Sequence, residues 1–165
     1  MIEDWKIEVP NFVLVRVSPS LLARLCDFRQ LGLNDPESGG VLIGRHLATS
    51  NAILIDQLTL PQNEDIKTRT SFSRSKKHNK LVKEIWESSN GQSTYVGLWH
   101  THPEPTPQHS PTDKKDWINS LRKSRYEGNL LFFMIVGQSC IRMWMGDKRA
   151  CAQKINLIGE YKIEE

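Results

Sequence analysis

The sequence predicts a mixed α/β domain built around one central sheet, and three observations carry that prediction. Short apolar runs rich in β-branched residues alternate with segments of helical periodicity, and no stretch repeats another. At 165 residues with 38% hydrophobic content, the chain can bury one proper core without staples, so residues 1–165 are expected to form a single domain. A polar, proline-rich stretch directly follows one of the apolar runs, a place where chemistry is expected rather than packing.

Taken in order, "FVLVRV" (residues 12–17) is β-branched and apolar and predicts a strand. "SPSLLARLCDFRQ" follows, with Ser18 and Pro19 placed as N-cap and first-turn residues of a first helix. "GGVLIGRHLA" (39–48) and "AILIDQLTL" (52–60), separated by "TSN", predict an antiparallel hairpin. Residues 61–75 are polar and turn-rich. A second helix is expected over Lys76 to Ser88, with Leu81, Ile85 and Trp86 at helical spacing and "SSNGQS" ending it. The strand "TYVGLWHTH" comes next, then a third helix from about Ser110 and two strands, "LLFFMIV" and "CIRMWM". The closing "AQKINLIGEYKIEE" alternates enough to suggest an edge strand.

Composition excludes several classes. A net charge of +3 is too small for a dedicated nucleic-acid binder. Cys26, Cys140 and Cys151 are odd in number and widely spaced, with no CxxC pair, so neither a disulfide framework nor a thiolate zinc site is expected. The N-terminal "MIEDWKIEVP" is acidic where a leader peptide is positive, and Leu130–Val136, the longest apolar run, is too short for a bilayer. These features point to a soluble protein of the reducing cytoplasm without a membrane partner.

The polar stretch is "GLWHTHPEPTPQHSPTDKKDW" (97–117). Side chains at i and i+2 of a strand share a face, so His100 and His102 present two imidazoles about 6 to 7 Å apart at their roots, able to converge on one ion. Downstream, Ser110-Pro111-Thr112-Asp113 has the form of a helix start, which holds Asp113 in the first turn, where it can point back toward the strand end. Two histidines and one carboxylate leave one position open for water, the arrangement of a catalytic zinc rather than a closed structural one. Taken singly, paired histidines can face solvent and Ser110 with Asp113 can be a cap. Together they form H-x-H-x7-S-x2-D, expected by chance on the order of once in a few thousand chains of this size.

A carboxylate near such a water must take its proton and deliver it to the leaving amine. The residues themselves offer Asp35, Glu37 and Glu104. Other zinc chemistries fit less well: "HPE" resembles half of a nucleobase deaminase signature whose cysteine half is missing, and no H-E-x-x-H occurs.

"HTHPEPTPQHSPTD" resembles the metal-binding motif of the JAMM (MPN+) zinc isopeptidases. "ESGGVLIGR" stands where that family has its glutamate and Gly-rich strand. The resemblance covers about residues 10–147 and is nearest to short prokaryotic members encoded beside E1/E2-like conjugation enzymes, including anti-phage cyclic-oligonucleotide signalling operons. It implies a mixed α/β fold with a curved central sheet flanked by helices, layered as in cytidine deaminases. It also implies one Zn2+ per chain held by His100, His102 and Asp113, with Glu37 as general acid/base and Ser110 helping to hold the oxyanion. The implied reaction is hydrolysis of the bond between the C-terminus of a conjugated protein and a lysine amine or a C-terminal extension. Its protein substrate carries a flexible tail, as a cyclic-oligonucleotide synthase or a ubiquitin-like protein does. The motif leaves His109 free, and that residue is expected to face outward, since a further ligand fills the open position.

The basic stretch "KTRTSFSRSKKHNK" (67–80) holds six Lys or Arg and no acid. A solvated loop is the simpler reading, because beyond Phe72 no aromatic platform accompanies it. Residues 61–75 resemble the family's variable insertion, which flanks the substrate groove. Two alternatives stand beside proteolysis: a silent binding scaffold, disfavoured because all five motif positions are present, and a nucleic-acid-associated role resting on the basic stretch.

Overall fold

The computed structural model describes residues 3–11, 13–48, 50–150 and 154–164. Ten strands and three helices follow one another among these: β1 (Trp5–Val9), β2 (Val13–Val17), α1 (Pro19–Asp27), β3 (Gly39–Leu47), β4 (Ala52–Leu58), β5 (Ile66–Thr68), β6 (Ser71–Ser73), α2 (Lys77–Ser88), β7 (Thr94–Thr101), α3 (Pro111–Lys123), β8 (Leu130–Val136), β9 (Cys140–Asp147) and β10 (Ile155–Lys162). Eight strands form one sheet in the order β1-β2-β4-β3-β7-β8-β9-β10, and β5 and β6 pair separately. Within the large sheet β2–β4 and β7–β8 are parallel and the other pairs antiparallel, so the sheet is mixed as expected.

The sheet is buried on both faces. One face packs Val15, Ile55, Trp99, Phe132 and Met134 under α1, whose Leu21, Leu22 and Leu25 point inward. The other packs Leu98, Phe133, Ile135 and Trp144 under α3 through Trp117 and Leu121. Two-sided burial explains why β8 reads as an unbroken apolar run rather than an alternation. The sheet also curls until its outer strands meet: Trp5 of β1 lies 5.7 Å, ring to ring, from Tyr161 of β10. At Gly159 a Cβ would come within 2.8 Å of the tip of the Ile7 side chain, so β1 packs closely over β10 there.

The expected elements are present, with three differences. β1 goes beyond the expectation; Trp5 and Ile7 face inward between exposed Lys6 and Glu8, a period-two pattern within the first residues. Residues 61–75 include the β5–β6 hairpin. In α2 the expected stripe holds in part: Ile85 packs against the core as expected, joined by Val82 and buried His78, while Trp86 is half exposed. Cys26 and Cys140 are free, and Cys151 lies outside the described residues. No helix among the described residues is long and apolar enough to cross a membrane.

Candidate metal centre

β7 carries the two histidines to the edge of a cleft. Leu98 belongs to the face under α3 and Trp99 to the face under α1, so His100 and His102, two and four residues beyond Leu98, return to the α3 side. The chain leaves the sheet at His102 without losing its place: His102 N donates to Val136 O at 3.0 Å. The proline-rich segment that follows is fastened to the β8–β9 turn, with Gln138 N donating to Glu104 O at 2.8 Å and Ser139 N to Pro105 O at 3.0 Å.

Asp113 arrives from α3 through a capping box. Asp113 N donates to Ser110 Oγ at 3.0 Å, and Ser110 N donates to Asp113 Oδ2 at 2.8 Å. This fixes the carboxylate in the first helical turn and aims it at the histidines. His100 Nε2 lies 3.2 Å from Asp113 Oδ1 and His102 Nε2 lies 3.1 Å from Asp113 Oδ2. The two Nε2 atoms are themselves 3.1 Å apart.

Glu37 comes from the segment entering β3. Gly39 pairs with His100, Thr101 N donates to Ser38 O at 2.9 Å, and continuing that register sets Glu37 opposite His102. Its residue is 3% exposed, and one carboxylate oxygen lies within 4.8 Å of a ring nitrogen of both His100 and His102. The close approach of β3 explains the paired glycines: a Cβ at Gly39 would stand 2.8 Å from Trp99 O, and one at Gly40 2.4 Å from Thr59 O. Of the three carboxylates left open by the sequence, Asp35 caps its own loop by accepting from Gly32 N at 2.7 Å. Glu104 accepts from His102 Nδ1 at 3.0 Å. Glu37 alone of the three sits inside the cluster.

These contacts determine the charges. Burial pushes the Glu37 carboxyl up to about 7, opposed by the neighbouring His102 and reinforced by Asp113. For His102 burial works downward, but the bonds to Asp113 and Glu104 dominate and lift it to about 9. Burial would raise Asp113, yet hydrogen bonds from His100 and His102 hold it well below the usual carboxylate range.

The donor set fits a cation. A carboxylate only accepts, so Glu104 obliges His102 Nδ1 to carry its hydrogen, leaving Nε2 of the neutral ring as a bare lone pair. That lone pair faces His100 Nε2 at 3.1 Å beside a carboxylate, an arrangement that needs either a proton or a metal ion between the three groups. His100, His102 and Asp113 could hold such an ion, with Glu37 standing next to it.

A cleft of about 560 Å³ opens over the cluster, with Glu37, His100 and Asp113 on one side and Phe72, Arg74 and Lys76 on the other. The hairpin wall is anchored rather than loose. Arg74 makes a two-pronged pair with Asp116 of α3, both contacts at 3.1 Å. Behind it, His78 Nε2 meets both oxygens of buried Asp65 at 3.0 Å while its Nδ1 meets Thr59 Oγ1 at 2.7 Å. Part of the basic stretch is thereby spoken for, since Arg69 also donates to Gly32 O at 2.8 Å.

His109 does not face outward. Its ring packs edge-on against Trp117 at 5.6 Å and Trp144 at 5.7 Å, and its Nδ1 is buried without a partner. The proline-rich segment bends over residues 103–106 and buries Pro107, and two residues on the imidazole lies against the aromatic floor. One contact at the site goes beyond the sequence reading: Glu104 stands there only as a candidate base, although the spacing H-x-E allows a carboxylate to reach the histidine's second nitrogen.

Comparison with known proteins identifies the family of the chain. The model for prokaryotic homologs of the JAB domain matches residues 20–148. A protein of Vibrio cholerae serotype O1 named "CD-NTase/cGAS isopeptidase" is 34% identical over 136 residues, covering 82% of each chain. One of Escherichia coli (strain TW11681) with the same name is 32% identical over 135 residues, covering 81% of each. The solution structure of protein DSY2949 from Desulfitobacterium hafniense superposes with a TM-score of 0.58 at 16% identity, covering 88% of this chain and 89% of that one, a likeness of fold.

Proposed function

Because the chain belongs to the prokaryotic homologs of the JAB domain, we propose that it is a zinc-dependent isopeptidase that releases a conjugated protein from a lysine amine or a C-terminal extension in a CD-NTase system. The observation that supports this most is the convergence of His100, His102 and Asp113, whose facing atoms lie 3.1 to 3.2 Å apart. Ligands about 2.0 to 2.1 Å from a tetrahedral zinc stand roughly 3.3 Å from one another.

Zinc held by these three residues would supply a Lewis acid for the carbonyl and an acidified water. Glu37, with its carboxyl pushed to about 7, exchanges protons near neutrality: it takes one from the attacking water and delivers it to the leaving nitrogen. Ser110 Oγ already accepts from Asp113 N, so its own hydrogen is free to point at the developing oxyanion. Glu104 holds His102 in the tautomer that presents Nε2.

The cleft suits an extended segment better than a folded surface. Lys76 lines it, and among the described residues no ion pair neutralises that ammonium, so a flexible tail bearing acidic residues is favoured.

The test uses a CD-NTase C-terminal peptide joined through its carboxyl to the Nε of a lysine in a reporter peptide. Intact mass should show a free C-terminus and a free lysine with the wild type. Chelation should stop the release, and added zinc should restore it. Retention of DNA or RNA by the protein, with no isopeptide cleaved, would overturn the reading in favour of a nucleic-acid role.

A further inference from the structure

Among the described residues the Glu37 carboxylate makes no side-chain hydrogen bond; burial and the charges of His102 and Asp113 act on it. Its aim therefore depends on the backbone around it. Glu37 N donates to Thr68 O at 2.8 Å, and Ser38 N donates to Thr101 Oγ1 at 2.9 Å.

The partners of that short segment converge on one side chain. Gln30 is completely buried. Its Nε2 donates to Asp35 O at 3.0 Å, two residues before Glu37, and to Arg69 O at 2.9 Å, next to the carbonyl that Glu37 N uses. Its Oε1 accepts from Thr101 Oγ1 at 2.8 Å, the same hydroxyl that receives Ser38 N, on the residue between the two histidines in sequence. Its backbone carbonyl accepts from Gln138 Nε2 at 2.9 Å, and Gln138 N donates to Glu104 O at 2.8 Å. One buried amide thus ties the glutamate's loop, the hairpin wall and the histidine strand into one body. Both of its Nε2 hydrogens are used, and a primary amide is the side chain that can donate twice and accept at the same place.

We propose that Gln30, acting through the Thr101 hydroxyl, is the positioning residue that aims the Glu37 carboxylate. This rests on the reading of Glu37 as the proton carrier. The ligand triad does not depend on Gln30: His100 and His102 are placed by β7 and its pairing with β8, and Asp113 by the capping box. Loss of Gln30 should accordingly misplace the proton carrier and leave the metal site loaded. Misplacement by about 1 Å is enough to cost on the order of 10²-fold in rate.

The experiment uses the full chain and the isopeptide probe named above. Gln30→Met keeps the volume and removes the hydrogen bonds. Zinc content should stay at the wild-type value while kcat falls about 10- to 100-fold and KM changes less than about 3-fold. In a Glu37→Gln background, where nothing remains to be aimed, adding Gln30→Met should change the residual rate by less than about 3-fold. Thr101→Val should repeat the kcat loss and Thr101→Ser should restore it, an independent route if Gln30→Met does not accumulate folded.

Loss of zinc in these variants would overturn the proposal, as would losses that multiply in the Glu37→Gln background, since both mark a general structural role. A wild type that fails to cleave the probe, or a Glu37→Gln protein as fast as wild type, refutes instead the functional reading beneath it.

Discussion

His100 and His102 face each other through their Nε2 atoms at 3.1 Å, with the rings inclined at 60° and Asp113 closing the third side. Without a metal, such a contact is held together by protons. His102 has an ordinary value of 6.5 and rises to about 9 because its bonds to Asp113 and Glu104 outweigh burial, which pulls the other way. A group raised on folding stabilises the fold fully below its unfolded value and ceases to do so as pH climbs through its folded value. The metal-stripped protein should therefore lose melting temperature between pH 6.5 and 9. Zinc should flatten that decline, because it replaces the proton. Thermal melts with chelator and with zinc, across this range, check it.

The wild-type protein should hold about one zinc per chain and His100→Ala should lose most of it, as read by elemental analysis after desalting. Unchanged metal in His100→Ala would mean that the ion lies elsewhere.

Glu37→Gln should keep zinc and fold while cleavage drops by about 10²-fold or more. Stability offers a second check on the same variant. Burial raises Glu37 from 4.5 to about 7, so its ionisation costs the fold increasingly as pH rises across that window. A neutral glutamine carries no such cost. Stripped of metal at pH 8, Glu37→Gln should melt no lower than wild type.

Glu104→Ala removes the partner of His102 Nδ1 but neither ligand nor proton carrier. Zinc affinity should weaken about 10- to 100-fold in competition with a chromophoric chelator. At saturating zinc the variant should still cleave the probe. An inactive but zinc-loaded Glu104→Ala would make Glu104 the base instead of Glu37.

His78 and Asp65 form a buried pair, their side chains 1% and 0% exposed, behind the hairpin wall. His78→Ala leaves the carboxylate with its bonds from Gln62 N and Ser75 N alone. Removing one partner of such a pair should cost about 3 kcal/mol, measured as a lower denaturant midpoint in the zinc-loaded protein.

The features that were legible in the chain are those set by neighbours along it. The period-two geometry of a strand places His100 and His102 on one face whatever surrounds them, and Ser110-Pro111-x-Asp113 makes a capping box from four consecutive residues. The alternation of strand and helix was readable for the same reason. Where a local rule met a competing contact, the contact won: Trp86 of the helical stripe is half exposed while His78, bonded to Asp65 and Thr59, is buried, and His109 turned inward onto Trp117 and Trp144.

Composition and spacing treat Asp35, Glu37 and Glu104 alike, and in the sequence only the resemblance of "ESGGVLIGR" singles out Glu37; the physical reason lies in the fold. The antiparallel pairing of β3 with β7 brings Glu37 opposite His102 across 65 residues of sequence, while Asp35 is consumed by its own turn and Glu104 by the outer nitrogen of His102. Gln30 is the extreme case: its partners lie at positions 35, 69, 101 and 138, so nothing near it in the chain marks it. By itself the sequence determined the face that carries His100 and His102 and the helix start that carries Asp113, through backbone periodicity and capping. Tertiary structure decided the surroundings of Glu37, because burial and long-range strand register, absent from any local pattern, set both its position beside His102 and its affinity for a proton.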